Sequence, residues 1–176
     1  LALRLLLVVL QRKSEVALAE WTEFELNSNW WTIPKSKTKN GLSHRAYLPS
    51  MAKNLLKEIK QLSGDSKYLF PSPRGKGHKP ISPRSLSQAL LNNLDTLETE
   101  PFTPHDLRRS ASSHMTGNGI PRETVKKILN HVESGATKIY DRYSYDQEKK
   151  NALNKWDRIL KKIVTGEVGK VIRMNG

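Results

Sequence analysis

Apolar residues recur three or four positions apart along much of the chain, which is the spacing of one face of an α-helix. The first such stripe is widened by two adjacent valines, so we expect the N-terminal helix to be buried on most sides. The predicted stripes are Leu3, Leu6, Leu7, Leu10; Met51, Leu55, Leu56, Ile59, Leu62; Leu86, Ala89, Leu90, Leu91, Leu94; Leu107, Ala111, Met115; Val125, Ile128, Leu129, Val132; and Leu153, Trp156, Ile159, Leu160, Ile163. Ser50 and Ser82 are predicted N-caps, and Gly64 is a predicted helix end.

Three short segments, residues 23–26, 30–33 and 44–48, are instead rich in aromatic and β-branched residues and are separated by turn residues. They predict an antiparallel meander. The fold class is therefore α+β, mainly α-helical, with a small three-stranded antiparallel sheet near the N-terminus. We expect one domain over residues 1–164 and a C-terminal tail over residues 165–176, whose weak pattern is compatible with disorder.

The charge balance changes this picture, because 30 Lys and Arg residues against 17 Asp and Glu residues give a formal net charge of +13. A folded and strongly basic protein indicates a polyanionic partner, usually nucleic acid, although a ribosomal or membrane-surface protein has the same balance. The lack of cysteine excludes disulfides and thiolate metal sites, and the five histidines lack metal-ligand spacing. The apolar N-terminal run is too short to cross a bilayer, and its start inside a helix leads us to expect a domain of a longer protein.

The segment 103–145 carries most of the candidate chemistry. Thr103 is a predicted N-cap, Pro104 suits the first helical position, and Asp106 completes a capping box. His105 and Arg108 then share one face of the first turn, where backbone N–H groups and the helix dipole attract an anion such as phosphate. Taken alone, this pair is better explained as a partly exposed histidine beside a solvated arginine.

The surrounding residues resemble the tyrosine recombinase family, which includes the phage and genomic-island integrases. That family has a His-x-x-Arg box, a Leu-Gly-His box and then a nucleophilic tyrosine, as in His105 to Arg108, 129–131 and Tyr140 here. The first box of the family is an arginine followed three positions later by an acid, and Arg12 and Glu15 match it. Without the rest of the resemblance, these two residues would be explained as an ordinary i,i+3 ion pair. The sequence departs from the family at Leu10-Gln11, where Thr-Gly is usual ahead of the arginine, and at Asn130, where glycine is common.

The resemblance implies a role for each matched residue. Tyr140 attacks the scissile phosphate, Arg12 and Arg108 hold its oxygens, and His105 accepts the tyrosine proton or holds the phosphate. Lys39 protonates the departing 5′ oxygen, His131 donates a hydrogen bond to the phosphate, and Glu15 supports the pocket. Tyr143 and Tyr145 remain alternative nucleophiles. The candidate DNA-binding residues are Lys37, Arg74, Lys76 and Arg109.

The function implied is a site-specific integrase that cleaves and rejoins double-stranded DNA at attachment sites through a 3′-phosphotyrosyl link, integrating or excising a phage or genomic island. Because that link stores the bond energy, no metal or other cofactor is expected.

The resemblance also implies a homotetramer on DNA for the full-length protein, separate core-binding and arm-binding domains outside this chain, and a bacterial cytoplasmic, nucleoid-associated location without membrane contact. It allows accessory DNA-bending proteins, and a C-terminal segment that docks on a neighbouring subunit rather than on its own core. Two alternatives are a non-catalytic basic nucleic-acid-binding module and a type IB topoisomerase-like enzyme that relaxes DNA.

Overall fold

The computed structural model of the chain describes residues 1–97, 99–131 and 144–166. In these residues seven helices and a three-stranded sheet surround one core. The helices are α1 Ala2–Val9, α2 Lys13–Ala17, α3 Ser50–Ser63, α4 Pro83–Leu91, α5 Pro104–Gly117, α6 Arg122–Ile128 and α7 Asp146–Thr165. The strands are β1 Phe24–Glu25, β2 Trp30–Ile33 and β3 His44–Tyr47.

Helix α1 lies at the centre of the fold and packs against α2, α3, α5 and α7. This position explains why its sequence is apolar nearly all round, since a helix with partners on several sides has little surface left for solvent. Leu5, Val9 and Leu10 are completely buried. The predicted buried N-terminal helix is thus confirmed, and its C-terminal end is directed into the candidate site described below.

The predicted meander is confirmed, with strand order β1-β2-β3 and both pairings antiparallel. Trp31 is opposite Phe24 on one side and Ala46 on the other, and its ring stacks on Phe24 with centroids 5.1 Å apart. The loop from β2 to β3 contains Lys37 and Lys39, so the sheet carries both candidate lysines on one hairpin.

Helix α7 packs on the core of its own chain between Lys149 and Leu160. The predicted core position Ile163 is wrong, because the last turn of the helix extends past the core and Ile163 is 46% exposed. Leu153 and Trp156 are buried, and the Trp156 indole N–H donates to the Leu7 carbonyl at 3.1 Å. The helix continues to Thr165, one residue into the predicted tail, and residues 167–176 lie outside the described residues.

Several predicted details are wrong. Leu62 is 79% exposed because α3 turns Ser63 inward instead, where its hydroxyl accepts the Trp21 indole N–H at 3.2 Å. Leu91 and Ala89 are exposed because α4 buries only the i,i+4 pair Leu86 and Leu90. Pro49, not Ser50, is the N-cap of α3.

Candidate active site

The turn between α1 and α2 fixes Arg12. Its backbone N–H donates to Glu15 Oε2 at 2.7 Å, and its Nη1 donates to Glu15 Oε1 at 2.9 Å. Glu15 is fully buried, whereas 22% of the Arg12 side chain is exposed. One buried carboxylate therefore holds both the backbone and the guanidinium of Arg12, while part of the guanidinium stays open to solvent.

Arg108 reaches the same turn from α5. It is only 3% exposed, and its two terminal nitrogens donate to the carbonyl oxygens of Leu10 and Leu129. Burial and, to a smaller extent, the charge of Arg12 lower the pKa of Arg108 to about 10, against the opposing effect of Glu15. The Arg108 guanidinium thus stays protonated at neutral pH and joins the C-terminal ends of α1 and α6.

The C-terminal end of α6 is held by side chains from other elements. A helix ends with carbonyl groups that lack intrahelical partners. Gln11 Nε2 donates to the Ile128 carbonyl at 3.1 Å, and His44 Nε2 donates to the same oxygen at 3.1 Å. With Arg108 on the next carbonyl, these contacts fix the chain direction just before His131, whose backbone N–H donates to Lys126 O at 3.0 Å.

His44 takes part in this arrangement as a neutral side chain. Burial lowers its pKa to about 3, and the charges of Lys149, Arg108 and Arg12 act in the same direction, against the opposing hydrogen bond to Ile128. A buried imidazole that stays uncharged can donate to a carbonyl without adding a further positive charge to the site. Neither Gln11 nor His44 was predicted as a functional residue.

Positive groups converge in this region. Partial burial lowers the pKa of His131, and the nearby charges of Arg108, Arg12, His105 and Lys126 lower it further. His105 is exposed at the start of α5, where the predicted Thr103–Asp106 capping box is present. The structure therefore brings the predicted Arg12, Arg108 and His131 into one region. Glu15 is the carboxylate that holds Arg12.

The two lysines of the β2–β3 loop have different surroundings. Lys37 Nζ donates to the Leu18 carbonyl at 2.7 Å and pairs with Glu20 and Glu23. Lys39 is exposed, and in the described part of the chain it has neither a hydrogen-bond nor an ion-pair partner. Lys37 is thus held by acidic neighbours, whereas the Lys39 ammonium remains available to a ligand.

The remaining predicted residues lie at the surface or outside the described residues. Arg74 and Lys76 are exposed on the loop before α4, and Arg109 is exposed with Asp106 at 3.5 Å. Tyr140 and Tyr143 lie outside the described residues. Tyr145 is half-buried at the start of α7, and the Lys127 ammonium lies 4.6 Å from the centroid of its ring.

Two solved structures have the same fold. The integrase from mycobacterium phage Brujita matches 92% of this chain and 55% of its own chain, with a TM-score of 0.67 and 19% identity. A λ integrase, solved as a tetramer bound to a Holliday junction, matches 82% of this chain and 42% of its own, with a TM-score of 0.60 and 20% identity. The fold described above is therefore that of the integrases.

Residues 1–147 match the Phage integrase family, so the chain belongs to that family. The prophage integrase IntA of Escherichia coli K12 is 27% identical over 164 residues, which are 92% of this chain and 38% of that protein. The tyrosine recombinase XerA of Pyrococcus furiosus is 31% identical over 117 residues, 64% of this chain and 40% of that protein. The chain thus spans about two fifths of the length of these relatives. No helix within residues 1–97, 99–131 and 144–166 has the length and apolarity needed to cross a bilayer.

Proposed function

We propose that this chain is the catalytic domain of a site-specific DNA recombinase that cleaves and rejoins strands through a covalent link to Tyr140. The observation that carries the proposal is that Arg108 donates to the carbonyls of Leu10 and Leu129, which places it between the turn that holds Arg12 and the turn that carries His131. His105 is close enough to lower the pKa of His131. Positive groups held together with a single paired carboxylate favour binding of an anion. Two guanidinium groups suit a phosphodiester, because each can donate paired hydrogen bonds to its oxygens.

In the proposed cleavage step the Tyr140 hydroxyl oxygen attacks the scissile phosphorus, and its proton goes to His105 or to solvent. The bond from phosphorus to the 5′ oxygen breaks, and Lys39 protonates that oxygen as it leaves. Arg12 and Arg108 stabilise the charge that develops on the non-bridging oxygens. Since the pKa of His131 is lowered, this side chain is neutral at neutral pH and donates its remaining N–H to the phosphate.

Rejoining is the reverse reaction with a different 5′ hydroxyl as nucleophile. That hydroxyl attacks the phosphotyrosyl phosphorus, its proton returns to Lys39, and the tyrosine oxygen leaves and is reprotonated. Each cleaved bond is matched by one formed bond, which makes an external energy source unnecessary.

For the full-length protein we propose double-stranded attachment sites as substrate and a homotetramer on DNA, with accessory DNA-bending proteins as further partners. The structural similarity to a λ integrase solved as a tetramer on a Holliday junction supports this assembly. The net charge of +13 supports the DNA partner. We further propose a location in the bacterial cytoplasm, with the nucleoid, where that substrate lies. Arg74, Lys76 and Arg109 are the proposed backbone contacts, since all three are exposed.

The test is covalent capture of DNA. The full-length protein is incubated with fragmented genomic DNA of its host, the reaction is stopped with detergent, and the 3′ ends joined to protein are sequenced to locate the cleaved site. A nicked duplex carrying that site then traps the adduct on a denaturing gel. We expect an adduct with the wild type and none with Tyr140→Phe, while Tyr145→Phe retains it because that ring is engaged by Lys127.

Other outcomes contradict parts of the proposal. An adduct that persists in Tyr140→Phe but is lost in Tyr143→Phe or Tyr145→Phe moves the nucleophile to that tyrosine. DNA binding without any adduct supports a non-catalytic binding module. Adducts accompanied by relaxation of supercoils, without recombination between two sites, support a topoisomerase-like enzyme.

A further inference from the structure

Two asparagine side chains connect the β2–β3 loop to the turn after α6. Asn40 Nδ2 donates to Asn130 Oδ1 at 2.9 Å and to the Asn130 carbonyl at 3.2 Å. Asn130 Nδ2 in turn donates to Asn40 Oδ1 at 3.4 Å. Both residues are half-buried, so these bonds are partly protected from competing water.

Each asparagine is the chain neighbour of a site residue. Asn40 follows Lys39, and Asn130 precedes His131. On the other side of Lys39, Thr38 is 9% exposed, and its hydroxyl donates to the Leu42 carbonyl at 2.8 Å. The exposed Lys39 is therefore held between two anchored residues, one within its own loop and one against the turn that carries His131.

The backbone at Asn130 makes this contact possible. Asn130 has a φ of 50°, in the left-handed region, where asparagine is better tolerated than most residues. Glycine would adopt the same turn but would offer no side chain to Asn40. The asparagine at this position thus provides a link between the loop and the turn that a glycine cannot provide.

We propose that Asn40 and Asn130 are positioning residues that hold Lys39 where it can protonate the leaving 5′ oxygen. The inference rests on the proposed function. A proton donor must lie within hydrogen-bond reach of the atom that it protonates, and a displacement of about 1 Å can cost about a hundredfold in rate. A lysine on an unanchored hairpin loop would meet this condition only part of the time.

Three substitutions test the pair. Asn40→Ala removes the three hydrogen bonds between the two residues and also the bond that the Leu42 N–H donates to Asn40 Oδ1 at 3.1 Å. Asn130→Gly keeps the turn, the carbonyl acceptor and the Leu42 bond, and removes only the bonds of the Asn130 side chain. The matched control is Asn29→Gly, because Asn29 also has a left-handed φ, 62°, but lies in the β1–β2 turn. Urea denaturation of each variant establishes that it is folded under the assay conditions.

The readout is single-turnover cleavage of two duplexes, one natural and one with sulfur in place of the bridging 5′ oxygen at the cleaved bond. A thiol has a pKa of about 8.5, so a thiolate leaves without being protonated. We expect Asn40→Ala to slow cleavage of the natural duplex by about ten- to a hundredfold and to cleave the sulfur duplex at nearly the wild-type rate. Lys39→Ala should give the same pattern, Asn130→Gly a weaker one, and Asn29→Gly no change.

The outcomes separate the inference from the function on which it rests. If the wild type cleaves neither duplex, the proposed function fails. If Lys39→Ala is slowed equally on both duplexes, the role of Lys39 as proton donor fails. If the wild type and Lys39→Ala behave as expected but Asn40→Ala and Asn130→Gly match the wild type, or are slowed equally on both duplexes, the positioning role of the pair is wrong.

Discussion

Leu10 has a φ of 56° although it is not glycine, and Asn130 has a φ of 50°. Leu10 belongs to the Leu10-Gln11 pair, where the tyrosine recombinases usually have Thr-Gly, and Asn130 stands where glycine is common in that family. The left-handed backbone at Asn130 gives a physical reason for the glycine that is common there, since glycine alone adopts this conformation without a steric penalty. The side chain of Leu10 is fully buried, so the free energy gained from its packing offsets the strain of its left-handed backbone.

This balance predicts that Leu10→Gly is more stable than Leu10→Ala, which is the reverse of the usual order for these two residues. Both Leu10→Ala and Leu10→Gly remove buried side-chain atoms, at a cost of about 2–5 kcal/mol. Leu10→Gly also relieves the left-handed strain, so we expect it to be more stable than Leu10→Ala by about 1 kcal/mol, although alanine is normally the more stabilising residue. Urea unfolding followed by tryptophan fluorescence measures the difference, and an alanine variant as stable as the glycine variant would contradict it.

Among the elements, β3 and α6 are joined by His44, whose neutral ring donates to the end of the helix. Because its pKa is about 3 in the folded protein, against an ordinary value of 6.5 for an unfolded chain, the unfolded chain binds one more proton between these values. The contribution of neutral His44 to the free energy of unfolding is therefore complete above pH 6.5 and is lost as the pH falls below 6.5. We expect this histidine to lower the free energy of unfolding by about 1.4 kcal/mol per pH unit well below pH 6.5.

The variant that tests this is His44→Gln, since a glutamine amide can still donate to Ile128. Unfolding by urea at pH 5.0, 5.5, 6.0 and 7.5, values chosen around this window, should show a shallower pH dependence than in the wild type. The control is His78→Gln, because His78 is exposed on a loop and folding changes its surroundings little. Equal slopes for the wild type and His44→Gln would rule out the neutral buried histidine.

The elements were predictable because hydrophobic periodicity is a local signal. The three strands and the N-terminal helix follow from it directly, and the Thr103–Asp106 capping box is confirmed. Contacts between distant segments were not predictable. Nothing in the sequence indicates that Ser63 rather than Leu62 turns inward to meet Trp21, or that Lys37 pairs with two carboxylates while Lys39 has none among the described residues.

The candidate site shows the same limit. Arg12, Arg108 and His131 were identified through a family resemblance, and the structure brings them together. Gln11 and His44 were missed because a buried glutamine and a buried histidine look the same in a sequence as exposed ones. Their importance arises only from the position of the Ile128 carbonyl, 117 and 84 residues further along the chain.

On the scale of the whole molecule, the net charge of +13 predicts that the proposed DNA binding depends on salt. Each neutralised phosphate contributes about −0.9 to the slope of log affinity against log salt concentration. We expect the double variant Arg74→Ala, Lys76→Ala to reduce the magnitude of this slope by about 1.8, measured with the full-length protein by fluorescence anisotropy on duplex DNA.

A double variant elsewhere serves as the charge-matched control. Lys57→Ala with Lys162→Ala removes the same two positive charges from the exposed faces of α3 and α7, which contribute no residue to the candidate site. We expect this control to leave the slope unchanged. An equal reduction of the slope in both double variants would contradict a direct contact of Arg74 and Lys76 with the DNA backbone.

The contacts of Arg108 also have a consequence for synthesis of the protein. Its guanidinium needs the carbonyls of Leu10 and Leu129, which lie 98 residues before it and 21 residues after it. A nascent chain still on the ribosome holds Arg12 and Lys39 long before Leu129 has been added. The growing polypeptide therefore cannot assemble the proposed phosphate site until Leu129 has been added and has left the ribosome.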